Sequence, residues 1–329
     1  ACAALFGSPL GQVAVETVGG SLTASRLTAD LLAGALEIPG SAEQAALALG
    51  GAGDERSVPG LCAMLDHAMP PDRIGEVLAD LGRTGREHPE LVASARGLLS
   101  RAEETEPGLV RSLIFGVGRL GPAASAAVPE LTRLLDSGEF AAPAVCALGR
   151  IGPAAVAAVP LVERFPGGPA AHALVLITGD RRYPDGYLAG RPVGSGRISA
   201  DTPALLTWLA VNAELTSRQA DQLDFLAGRP GHQAAVGVAR WHHAGPAAAD
   251  DLLRTIPRYL ADAIWGPPAV ATLTAMGPSA APALADLDRL IDSRTRLGLY
   301  EEGLDRETRE DERRLAALRS ARLSVGPGR

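Results

Sequence analysis

The side chains best equipped for chemistry gather in the second half of the chain. Trp241-His242-His243 runs ahead of Asp250-Asp251, and imidazole with carboxylate is a metal-ligand combination. Adjacent residues on a helix point about 100° apart, so one helix cannot aim both histidines at one ion. The competing reading is a helix end, where histidine complements the negative pole of the dipole. Ser195 stands between Gly194 and Gly196, but Val193 fills the place where a nucleophile elbow needs its first glycine. Gly190 to Gly196 also lacks the lysine and the preceding strand of a phosphate loop.

A third constellation would act on a nucleobase. Trp208, Trp241 and Trp265 with Arg240 and Asp262 supply the aromatic, cationic and carboxylate groups that hold an extruded nucleotide. The same tryptophans also serve to fill gaps between alanine-rich helices. Net charge is −7, which opposes a broad phosphate-neutralising face. The chain has no lysine, so its 31 basic residues are all arginine, and Schiff-base chemistry is excluded. Cys2, Cys62 and Cys146 lack metal-ligand spacing and cannot pair completely. They read as buried free thiols in a reducing compartment, and the expected localisation is cytoplasmic.

No constellation outweighs its structural alternative, so the elements that carry them matter more. Gly118-Arg119-Leu120-Gly121-Pro122-Ala123-Ala124 returns as Gly149-Arg150-Ile151-Gly152-Pro153-Ala154-Ala155, and Val128-Pro129 as Val159-Pro160, each 31 positions on. That period marks stacked helical pairs. The Gly-Pro turn recurs at Gly245-Pro246-Ala247-Ala248, three periods beyond Gly152, and at Gly277-Pro278-Ser279-Ala280. Glycine accepts the left-handed conformation that ends one helix, and proline starts the next. Arg119 and Arg150 share a repeat position and are expected to cap the last carbonyls of the first helices.

The spacing predicts helices over 22–37, 42–50, 57–67, 72–83, 88–101, 107–119, 123–136, 140–150, 154–165, 202–213, 216–228, 231–243 and 247–262. Residues 181–201 break the pattern. Arg181, Arg182, Tyr183, Asp185 and Tyr187, with Pro184 and several glycines, read as an irregular loop or linker of the kind that often carries function. The expected division is a block over 1–180, this loop over 181–201, a divergent block over 202–300, and a charged terminal helix and tail over 301–329. In that last segment Asp305–Arg309 and Glu310–Arg314 fall at i,i+4, and Leu315, Leu318 and Leu323 give a weak stripe on a solvated helix. The sequence opens on Ala1 rather than Met, which points to a fragment of a longer chain. Gly, Pro or charge interrupts every apolar run before membrane-spanning length.

Gly-Arg-(Leu/Ile)-Gly-Pro-Ala-Ala followed by Val-Pro resembles the HEAT repeat, in the bacterial form similar to phycobilisome-lyase HEAT-like repeats. Ala170-Ala171-His172-Ala173-Leu174 leading to Thr178-Gly179-Asp180 resembles a run common in such arrays from actinobacteria. The resemblance implies an all-α fold, an α-solenoid or armadillo-like superhelix of stacked antiparallel helix pairs. It implies a scaffold that binds a protein partner; with no convergent polar site and a net charge of −7, the chain is expected to have no catalysis, cofactor or metal and neither nucleic acid nor membrane as its target. A few relatives act as DNA glycosylases or bilin lyases, which keeps an enzyme as the alternative. In this family the second helix of each pair lines the concave face. That places Glu130, Arg133, Glu163, Arg164, Arg254, Asp288 and Arg289 as partner-binding residues.

Overall fold

In the computed structural model the described residues are 26–38, 40–67, 73–194, 199, 201–293 and 304–326, with the side chains of 26–28, 304–310 and 312 excepted. Among them every element is a helix and none is a strand. The chain divides into two compact units, Ala1–Asp180 and Arg181–Arg329.

The first unit contains α1 (Arg26–Ala35), α2 (Ala42–Gly51), α3 (Val58–Asp66), α4 (Ile74–Gly82), α5 (Pro89–Ser100), α6 (Pro107–Arg119), α7 (Val128–Ser137), α8 (Ala141–Ile151), α9 (Val159–Val162) and α10 (Gly168–Thr178). The even-numbered helices pack in sequence, α2 on α4, α4 on α6, α6 on α8 and α8 on α10. The odd-numbered helices form a second row, α3 on α5, α5 on α7 and α7 on α9. Small residues govern the first row. A Cβ on Gly75 would lie 1.9 Å from the Ser112 carbonyl oxygen, and one on Gly116 would lie 2.6 Å from the Gly75 oxygen. A Cβ on Gly118 would lie 2.8 Å from the Ala147 Cα, and one on Gly149 2.7 Å from the Ala173 Cα. The first glycine of each doubled motif is therefore where backbone meets backbone. The second, Gly121 or Gly152, takes positive φ (62° and 77°) and turns the chain toward the second row.

Both second helices start later than their spacing predicts. Residues 121–127 and 152–158 are 3₁₀ turns, and α-helix begins at Val128 and Val159. Pro129 and Pro160 explain the delay, because neither has an N–H to bond the carbonyl four residues back. At the other end of α6's pair, the Glu106 side chain accepts from the Leu109 N–H at 2.7 Å and caps the helix. Ala141–Val162 is the one stretch among the described residues that meets a membrane span's length and hydropathy. It is half buried and is broken by the turn at Gly152.

The second unit contains α11 (Arg182–Ala189), α12 (Asp201–Asn212), α13 (Ser217–Ala227), α14 (His232–Ala235), α15 (Gly237–Ala244), α16 (Ala249–Thr255), α17 (Gly266–Met276), α18 (Leu284–Asp292) and α19 (Leu304–Val325). Here α12 packs on α15, α15 on α17, and α17 on α19. Three expectations are corrected. The loop expected over 181–201 holds helix α11, because Pro184 falls in the first turn, where an N–H needs no partner. The single helix expected over 247–262 ends at Thr255, because Pro257 disfavours helix at the residue before it. The terminal helix is not wholly solvated. Leu318, Ala321 and Val325 are buried in the core that α17 and α18 also line, while Leu323 is 76% exposed. The expected ion pairs at 305–309 and 310–314 lie outside the described side chains, as Ser195 and Cys2 lie outside the described residues.

Leu131, Leu134 and Leu135 form the buried stripe of α7. Leu134 is 2% exposed, so Leu134→Ala should cost about 2–5 kcal/mol in denaturant unfolding. A change below about 0.5 kcal/mol, the range of surface substitutions, would place that side chain outside the core.

Candidate functional site

Of the side chains expected to face a partner, Glu130, Arg133 and Asp288 are employed in holding successive helices together. On α5, Arg96 donates to both oxygens of Glu130 on α7, at 3.1 and 2.9 Å. That bidentate bond raises the pKa of Arg96. One turn later Arg133 donates to the carbonyls of Leu99 and Ser100 at 2.8 and 3.1 Å, capping α5, with Glu103 at 3.9 Å. Arg164 lies 3.8 Å from Asp136 with both side chains mostly in solvent, and Glu163 beside it is exposed.

The second unit repeats this economy. Asp251 accepts from Arg240 at 2.6 Å and from Arg254 at 3.1 Å. Asp288 pairs with Arg322 of α19, and Arg289 pairs with Asp286 at 2.5 Å. Around α11, Arg181 binds Asp185 at 2.8 Å, and Gln219 of α13 donates to the same carboxylate at 2.8 Å. Burial pushes the Asp185 carboxyl up, but the bonds from Arg181 and Gln219 outweigh it and hold the pKa below the usual range. Gln219 also completes a capping box with Thr216. Arg182 lies over the Tyr183 ring and Arg191 over Tyr187, at 4.6 and 4.5 Å. Gln222 donates to the carbonyls of Leu188 and Arg191 at 3.1 and 3.0 Å. Of the five expected loop residues, Asp185 is the one bonded to α13, with Arg181 bonded to it, while Tyr183 and Tyr187 lie under arginines.

The residues of the chemical constellations are placed differently. His242 and His243 are both exposed, and among the described residues no group of three His, Cys, Asp or Glu side chains converges. Asp262 accepts from the Ile264 and Trp265 N–H groups, both at 2.8 Å, which fixes the turn before α17. Arg240 turns to Asp251, and Trp265 stacks beside His232 with ring centroids 5.8 Å apart. Cys62 is half-buried and burial raises its thiol pKa. Cys146 is exposed, against the expectation of a buried thiol, because it takes the outward repeat position held by Phe115 in α6.

Two straps escaped sequence reasoning because their partners lie 34 residues apart, Arg96 with Glu130 and Asp288 with Arg322. Near one repeat length, an opposite-charge pair on consecutive second helices is the signal that would have found the first. Arg119 and Arg150 are also corrected. Among the described residues neither guanidinium bonds a helix carbonyl, and Arg150 lies over the Phe115 ring at 5.4 Å instead.

Arg240, and secondarily Arg254, hold the Asp251 carboxyl below the usual carboxylate range. Its stabilising contribution is therefore complete above about pH 4 and is lost as the pH falls through the lower folded value. Across that acid window wild type should lose more stability than Asp251→Asn, read as unfolding midpoint against pH; parallel curves would show that the pair contributes nothing.

The chain matches no protein-family model and no curated protein sequence.

Proposed function

We propose that this chain is a HEAT-like α-solenoid that serves as a scaffold for a protein partner and carries no chemistry of its own. One observation bears the reading. In the first unit first helices pack on first helices, through the glycines of the doubled motif, and second helices on second helices, so equivalent side chains of successive pairs fall into rows. Rows on a rigid frame suit recognition of an extended partner surface, since their geometry is set before the partner arrives. The neighbouring charges support the same reading, because mixed charge along a ridge selects partners and orients them. Arg164, Arg254 and Arg289 keep most of their side-chain surface in solvent. Glu163 and Arg164 in the first unit, and Arg254 and Arg289 in the second, are the exposed second-helix charges that would meet a partner in a cytoplasmic setting.

Affinity capture with the intact chain from a lysate of its own source, followed by mass spectrometry, should enrich one protein at a fixed ratio to the bait. Enrichment of none, or turnover of a bilin or a damaged nucleobase by the purified chain, would contradict the proposal.

A further inference from the structure

The first-helix row leaves a second surface, on the opposite layer from the straps. Phe115 and Arg119 stand one turn apart on α6, and Cys146 and Arg150 one turn apart on α8. The close approach of Gly118 to Ala147 draws these two stripes side by side. Phe115 is 44% exposed, which is high for its size. Arg150 covers one face of that ring at 5.4 Å. Such stacking uses the flat face of a guanidinium and leaves its in-plane N–H donors free.

Among the described residues the two arginines lack a carboxylate partner: Arg119 and Arg150 form no ion pair. Packing over Phe115 strips solvent from the Arg150 guanidinium, and the neighbouring Arg119 charge repels it, so its pKa falls below the ordinary arginine value. Other arginines of the unit sit on carboxylates, Arg96 on Glu130 and Arg83 on Asp80 among them. A like-charged pair at an exposed aromatic ring is complementary to an anion with an apolar neighbour.

We infer that Phe115, Arg119 and Arg150 form a docking site for an acidic protein segment, in which carboxylates bridge the two guanidiniums and an aliphatic side chain covers the open edge of Phe115. The inference rests on the reading of the chain as a protein-binding scaffold and gives that scaffold a partner chemistry. A nucleic acid is the poorer fit. Its affinity grows with the number of phosphates neutralised, and here two cations serve in a chain of net charge −7. The face of Phe115 that would stack a base is already under Arg150.

The test is fluorescence anisotropy with the full chain and a labelled Glu-Leu-Glu-Glu-Leu-Glu peptide, beside its lysine-for-glutamate counterpart and a labelled single-stranded dT oligonucleotide. The acidic peptide should bind saturably and weaken with salt, and the basic peptide should not bind. Arg119→Glu with Arg150→Glu should lower affinity at least ten-fold, and Arg119→Gln with Arg150→Gln should lower it with an unchanged melting curve. Phe115→Ala should weaken it too. No binding of the acidic peptide, equal binding by the doubly substituted chain, or binding of the oligonucleotide instead would overturn the site. Lysate capture separates the two readings: a partner retained by the Arg119→Gln, Arg150→Gln chain leaves the scaffold standing without this site, and no partner for wild type removes the scaffold itself.

Discussion

The structure of the first unit depends on backbone meeting backbone. At Gly75 with Gly116, at Gly118 with Ala147 and at Gly149 with Ala173, successive first helices approach to where no larger side chain fits. Close approach gives many weak dispersion contacts in place of a few large side chains, which suits a chain with 4% aromatic residues. It also fixes register. A helix seated on a glycine notch cannot slide by a residue without driving a Cβ into its neighbour.

That register decides where the polar side chains go. On the second row it sets Arg96 opposite Glu130 and Arg133 beneath the last carbonyls of α5. These bonds cross between pairs, so each charged residue there serves assembly before it can serve a partner. On the first row the same register sets Arg119 beside Arg150, and neither pairs with a carboxylate among the described residues. The two rows thus differ in chemistry although one repeat generates both. The second row binds Glu130 and Arg133 across pairs, and the first presents Arg119 and Arg150 to solvent beside an exposed ring.

Much of this was legible in the residues themselves. The Gly-Pro turns located the helix boundaries at Gly121, Gly152, Gly245 and Gly277, and all four glycines take positive φ. The all-helical character followed from the same period. Proline positions were harder to weigh. Pro257 ends a helix and Pro184 begins one, and the difference lies in whether the missing N–H falls inside a turn or at its start. Position within the repeat also hid roles. Arg150 stands where a cap is expected, yet Phe115 of the preceding pair offers it a ring, and that contact belongs to two helices at once. Around α11 a loop was read where Asp185, Gln219 and Gln222 hold a helix.

The notch is tested most directly by adding one methyl group. Replacing glycine with alanine inside a helix ordinarily stabilises it by about 0.5–1 kcal/mol. Gly97, in α5 with nothing within 4 Å of its would-be Cβ, should follow that rule in denaturant unfolding. Gly118→Ala and Gly149→Ala should reverse the sign and lose about 1–3 kcal/mol, the cost of overpacking. If all three substitutions stabilise the chain alike, successive first helices do not meet at these glycines, and the account of the rows built on them is wrong.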